Sequence, residues 1–214
     1  VDCGLAQGHD AHNSRAEQPF SFEPYDIDHV IITHAHIDHS GLLPLLKKLG
    51  YKGYIHSTDV SCSLMEIMLK DSAQIQESDA AYANRKGNRQ GATLVEPLFT
   101  SEDALDTIES FLPHSYHEIV ELCPGVRFRL VDAGHLLGSA SVEMWLEEDG
   151  VKRKVVFSGD IGNKNMPIIR DPEFIRDADY VLMESTYGDR NHEVTRDYAK
   201  EISEILEETF TQGG

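Results

Sequence analysis

The most constraining feature of the chain is a short apolar run, residues 27–33 (Ile-Asp-His-Val-Ile-Ile-Thr), that ends in His34-Ala35-His36-Ile37-Asp38-His39. Such a run predicts a buried strand, and the residues after it predict a polar loop at the strand's carboxyl end. Four of the six loop residues carry imidazole or carboxylate groups. Packing gives no reason to gather so many titratable groups in one turn, because burying them unpaired is costly. Zinc is borderline-soft and favours these donors, and ligands alternating along a loop can face two neighbouring ions. On this reading His34 and His36 share one ion, while Asp38 and His39 hold another.

Two later segments offer further donors. His135 lies in Asp132-Ala133-Gly134-His135-Leu136-Leu137-Gly138-Ser139-Ala140, behind a predicted strand and between glycines that permit close backbone approach. Asp160 lies in Ser158-Gly159-Asp160-Ile161-Gly162, again at a predicted strand end. Alone, either reads more simply as a turn residue; together, behind the histidine cluster, they read as ligands. A carboxylate at Asp160 can bridge two cations about 3.5–4 Å apart, the spacing of two-metal phosphoryl chemistry.

The rest of the chain reads as alternating helices and strands. Residues 40–49 predict a helix, 51–56 a strand, and 57–78 a helix with Val60, Leu64, Ile67, Met68 and Ile75 on its apolar face. Residues 79–91 predict a polar loop. Thr100 with Asp103 predicts a capped helix running to Leu112. Strands are then expected over 117–122, 126–131, 141–146, 154–158 and 180–183, with turns at Pro124-Gly125 and Asp149-Gly150, and an amphipathic segment over 194–210. This is an α/β pattern of layered sheets flanked by helices.

Composition narrows the function less than the motifs do. Against 19 basic residues stand 37 acidic ones, a formal net charge of −18, which argues against a nucleic-acid partner. Two divalent cations offset part of that charge where a phosphate would sit. No apolar stretch approaches the roughly 18 residues of a membrane span, and the first residues do not resemble a signal peptide. Cys3, Cys62 and Cys123 are odd in number and widely separated, so neither a disulfide framework nor a cysteine zinc site is expected. A cytoplasmic location follows from these readings. The start at Val1, directly on Asp2-Cys3-Gly4, and the close on Gly213-Gly214 are expected of an excised piece.

Taken in order, Asp2, the 34–39 cluster, His135 and Asp160 resemble the motifs of the metallo-β-lactamase superfamily. The resemblance implies a partial αββα sandwich. It implies two Zn2+ ions, one held by His34, His36 and His135, the other by Asp38 and His39, with Asp160 bridging and Asp2 steadying the loop from behind. Two segments select a branch. Residues 134–140 (Gly-His-Leu-Leu-Gly-Ser-Ala) and Glu184-Ser185-Thr186-Tyr187-Gly188-Asp189-Arg190 are similar to those of the β-CASP nucleases; glyoxalase II and tRNase Z share the histidine cluster but not this pair.

Membership of that branch implies hydrolysis of RNA phosphodiester bonds, on RNA read as single-stranded; a homodimer is a separate expectation. Asp38, Asp160 and Glu184 are the implied catalytic carboxylates: the first two orient the attacking water, and Glu184 helps place a histidine that protonates the leaving oxygen. Residues 1–190 are then an incomplete metallo-β-lactamase domain and 191–214 the start of a β-CASP domain. That general-acid histidine and a last zinc ligand are not found in the chain. The rival readings are a metallo-hydrolase of a small thioester or lactone, and a non-catalytic scaffold subunit. His9 and His12 read as solvent-exposed, residues 85–89 as a solvated basic loop, and His56, His114 and His117 as structural.

Overall fold

The computed structural model describes residues 1–6, 20–87, 94–191 and 198–213; His9, His12 and Arg89 lie outside the described residues. The chain divides into two compact units, Val1–Glu184 and Ser185–Gly214. The larger unit is built on two sheets. The first contains β1 (His29–Ile31), β2 (Tyr54–Thr58) and β3 (Phe111–His114), all parallel, in the order β1-β2-β3. The second contains β4 (Val120–Cys123), β5 (Val126–Asp132), β6 (Ala140–Glu148), β7 (Val151–Phe157) and β8 (Tyr180–Leu182), antiparallel except for β7 with β8.

Helices α1 (Ile37–Ser40), α2 (Leu43–Lys48), α3 (Asp59–Gly87) and α4 (Ser101–Ile108) supply the crossovers that parallel strands require. One core lies between these helices and the first sheet, around Ile32, Leu43, Tyr51, Ile55, Met65, Leu69 and Phe99. A second, with Ile31, Phe128, Leu130, Ala140 and Val142, lies between the sheets. Among the described residues the larger unit therefore shows three layers, helix, sheet and sheet, of the four expected. No helix among the described residues is long and apolar enough to cross a membrane.

Several sequence expectations need correction. Residues 40–49 form no continuous helix: α1 and α2 are separated by Gly41 and Leu42, with Pro44 in the first turn of α2, where its missing N–H costs nothing. The buried face of α3 overlaps only in part with the one that apolar spacing predicts, where Leu64 and Met68 pack partly buried against the core. Val60, Ile67 and Ile75 are exposed, and the buried stripe is Ser61, Cys62, Met65, Leu69, Ala73 and Ala80. The helix also runs through residues 79–87, expected as a loop, because Ala80 is buried and the Asn84 amide brackets Val95, accepting from its N–H and donating to its carbonyl. Arg85 and Lys86 thus lie on the last turn of a helix.

Thr100 and Asp103 do form a reciprocal capping box, but α4 stops at Ile108. The chain then enters β3, so Leu112 and His114 are strand residues paired with His56 and Thr58. In the smaller unit, α5 (Tyr198–Thr211) exposes Ile202, Ile205, Leu206 and Phe210, in keeping with the amphipathic pattern read from the sequence.

Candidate metal centre

All the elements that matter for the site end at one edge of the sheets. β1 delivers Thr33 and His34, the β5–β6 connection delivers His135, and the chain after β7 delivers Asp160. The two sheets are stitched there by the Ala140 N–H, which donates to the Thr33 carbonyl at 2.8 Å. The first residues of the chain join them: the Asp2 N–H donates to Ile31 and the Cys3 N–H to the His39 carbonyl, so Asp2 lies beside the histidine loop.

His34, His36, His135 and Asp160 converge, with one donor atom from each lying within 4.8 Å of all the others. His34 Nε2 stands 3.0 Å from His36 Nδ1, and His135 Nε2 stands 3.3 Å from the same His36 nitrogen. Asp160 presents its two oxygens to different neighbours. Oδ2 lies 3.7 Å from His34 Nε2 and 3.5 Å from His135 Nε2, whereas Oδ1 lies 3.2 Å from His39 Nε2. Asp38 is not in the four-donor group; its side chain is half exposed, with Oδ2 4.0 Å from His39 Nε2.

Hydrogen-bond parity shows how two of these histidines are held. A carboxylate only accepts. Asp2 therefore accepts Nδ1–H of His39 at 2.8 Å, and the ring's other nitrogen, Nε2, faces Asp160. Asp2 also accepts the Thr33 hydroxyl at 3.0 Å, so Thr33 Oγ1 must in turn accept Nδ1–H of His34, also at 3.0 Å. That leaves the His34 Nε2 lone pair aimed at the cluster. Burial, then the neighbouring imidazoles, push the His34 pKa down to about 2, so the ring is neutral at ordinary pH, as a ligand must be. Burial likewise lowers His135, whereas the hydrogen bond to Asp2 raises His39.

Backbone contacts hold the ligands' loops. Oδ1 of Asp2 accepts the Thr33 N–H at 2.8 Å, and Ser139 Oγ accepts the His135 N–H at 3.0 Å. A Cβ at Gly162 would stand 1.5 Å from the Gly134 carbonyl oxygen, so only glycine lets the His135 and Asp160 segments touch. Glu184 lies outside the four donors. Its Oε1 accepts the N–H of Ile161, next to Asp160, at 2.6 Å, and its own N–H donates to Ser158 Oγ. The support by Thr33, Ser139 and Gly162 is absent from the sequence reading; only the glycines flanking Asp160 hint at it.

Three imidazoles and a carboxylate that converge in this way are a donor set suited to a divalent transition metal. The chain belongs to the metallo-beta-lactamase superfamily, whose pattern matches residues 1–202. Among its relatives is the ribonuclease TTHA0252 of Thermus thermophilus, 37% identical over the whole of this chain and 44% of that protein. Another is the transcription termination factor FttA of Methanosarcina mazei, 30% identical over the whole chain and 32% of that protein. The chain thus spans less than half the length of these two curated relatives. A subclass B3 metallo-beta-lactamase of Bradyrhizobium japonicum superposes with a TM-score of 0.41 at 17% identity, over 89% of this chain and 75% of that one.

Proposed function

We propose that this chain carries the metal-binding half of a β-CASP ribonuclease, in which two Zn2+ ions serve the hydrolysis of RNA phosphodiester bonds. The observation that carries the proposal is the placement of Asp160, one oxygen toward His34 and His135 and the other toward His39. That is the disposition of a carboxylate shared between two sites. His34, His36 and His135 would hold one ion, His39 and Asp38 the other. Residues 1–190 would form the metallo-β-lactamase part, and 191–214 would begin the β-CASP domain. The names of the Thermus and Methanosarcina relatives, a ribonuclease and a transcription termination factor, support RNA over a small thioester or lactone.

Bound zinc would supply Lewis acidity and lower the pKa of coordinated water to about 7, giving a nucleophile at neutral pH. The protein's own residues do the positioning. Asp2 holds His39 through Nδ1 and His34 through Thr33, so both rings keep Nε2 turned to the cluster. Asp160 and Asp38 would orient attacking water. Glu184, by accepting the Ile161 N–H, fixes the backbone immediately after Asp160, and in the β-CASP reading it also places the residue that protonates the leaving oxygen.

The test is elemental analysis of the full-length protein beside its His36→Ala and Asp160→Asn variants, with cleavage assays on single-stranded RNA and on a thioester. About two zinc ions per chain, with metal and RNA cleavage lost together in both variants, is the expected result. Zinc with thioester cleavage alone would make it a small-molecule hydrolase. Absence of metal, with the variants unchanged, would leave a scaffold.

A further inference from the structure

The β2–α3 junction reaches across from the first sheet to the loop that carries His135. Thr58, the last residue of β2, caps α3: its Oγ1 accepts the Ser61 N–H at 3.1 Å. The same hydroxyl donates to the Gly138 carbonyl at 2.6 Å, and Ser61 Oγ donates to that carbonyl at 2.8 Å. Both residues are buried. Their two hydroxyls thus occupy both lone pairs of a single oxygen belonging to another sheet's loop.

Gly138 is shaped for this contact. Its φ is +82°, and a Cβ there would stand 2.6 Å from the Ser61 nitrogen and 2.9 Å from each hydroxyl. The oxygen it inserts lies at the start of α3, where unpaired N–H groups give the helix end a partial positive charge. On the other side of Gly138, Ser139 Oγ accepts the N–H groups of His135 and Leu136, at 3.0 and 3.2 Å, and the Ser139 carbonyl accepts the Tyr116 hydroxyl at 2.8 Å. The backbone from His135 to Ser139 is therefore held by side chains as well as by its own turn bonds, Ser139 N–H to the Leu136 carbonyl and Ala133 N–H to the Ser139 carbonyl, and Thr58 and Ser61 provide the hold from the other sheet's side.

We infer that Thr58 and Ser61 are positioning residues for the metal centre: through the Gly138 carbonyl they fix where the His135 loop presents its imidazole. The inference rests on the metal-centre reading given above. Neither residue is one of the converging donors; each acts through the loop that carries His135.

The experiment measures zinc affinity of the full-length protein by competition with a chromophoric chelator, with folding followed by circular dichroism. Thr58→Val combined with Ser61→Ala is expected to weaken zinc binding by about tenfold, the lower end of what outer contacts to ligands contribute. Thr58→Ser, which keeps both hydrogen bonds, retains wild-type affinity. In a His135→Ala background the same pair of substitutions has no further effect, because the route through His135 is already gone. Should the double variant fail to fold, Ser61→Ala alone decides, since the Thr58 cap remains; a measurable loss is expected. Wild-type affinity in Ser61→Ala and in the double variant, or an undiminished loss in the His135→Ala background, overturns the clamp while leaving the metal centre standing. A wild-type protein that takes up no zinc overturns the metal reading itself, and the clamp with it.

Discussion

Nδ1 of His39 lies 2.8 Å from Oδ2 of Asp2, and that contact turns the opposite nitrogen of the ring toward Asp160, 3.2 Å away. Asp2 adopts a positive φ of 59°, an uncommon conformation outside glycine, and holds Thr33 at two points as well. One carboxylate thus sets the orientation of two imidazoles. Asp2→Asn keeps the shape but presents an N–H where a lone pair is needed. Zinc affinity is expected to fall between about 10- and 100-fold, checked by chelator competition. Unchanged affinity would remove Asp2 from the support of the site.

A second set of imidazoles gives the fold a dependence on pH. His56 is buried between the sheets, its Nε2 3.1 Å from His29 Nδ1 and its Nδ1 2.9 Å from His114 Nε2. Burial, then His114 and His29, lower its pKa from 6.5 to about 4. The unfolded chain therefore binds the proton more readily than the folded one. Stability from keeping His56 neutral is fully present above pH 6.5 and is lost as pH falls toward 4, by on the order of 3 kcal/mol. Urea midpoints of the full-length protein measured from pH 7 to pH 4.5 should fall steeply, and less steeply in His56→Leu.

Glu143 illustrates a buried charge kept by two partners. Its side chain is 1% exposed and faces both Arg129 and Lys154. Glu143→Ala leaves two cations on the sheet surface without their counter-charge. Because Arg129 and Lys154 keep some access to water, the expected loss is about 2 kcal/mol, below the range for a fully buried pair. Denaturant unfolding measures it, and the conservative Lys154→Arg should lose much less.

The cap on α4 is a smaller, cleaner case. Thr100 Oγ1 accepts the Asp103 N–H, and the Asp103 carboxylate accepts the Thr100 N–H at 2.8 Å. Thr100→Ala is expected to destabilise by about 1 kcal/mol in the same unfolding assay. Asp103→Ala should have a similar effect, and the double substitution less than the sum, since both remove one reciprocal motif.

Local chemistry makes part of this fold legible in the sequence. Thr100 and Asp103 sit three apart, the distance a capping box needs, and the cap is present. The alternation in residues 126–131 and 141–146 likewise predicts β5 and β6, because side chains on a strand alternate between faces. The buried face of α3 is not legible in the same way. Val60, Ile67 and Ile75 are as apolar as Met65 and Leu69, so hydrophobicity offers two overlapping stripes, and only the position of the first sheet selects the one that includes Ser61, Cys62 and Ala73. Nor is the end of α4, because Phe111 and Leu112 suit either period, and pairing with β2 decides for strand.

Residue chemistry and order along the chain already set out the candidate donors and the strand ends on which they sit: His34, His36, Asp38 and His39 after one apolar run, His135 and Asp160 after two others. Only the tertiary packing brings His135, 99 residues from His36, within 3.3 Å of it, divides the Asp160 oxygens between His39 and the pair His34 and His135, and leaves Asp38 beside His39 outside the four converging donors. The physical reason is that residue type and periodicity are local properties. Distances between donors on different strands are set by how strands and sheets pack, here through backbone contacts that no spacing along the chain encodes: Ala140 with Thr33 between the sheets, and Gly162 against Gly134 between two loops of the second.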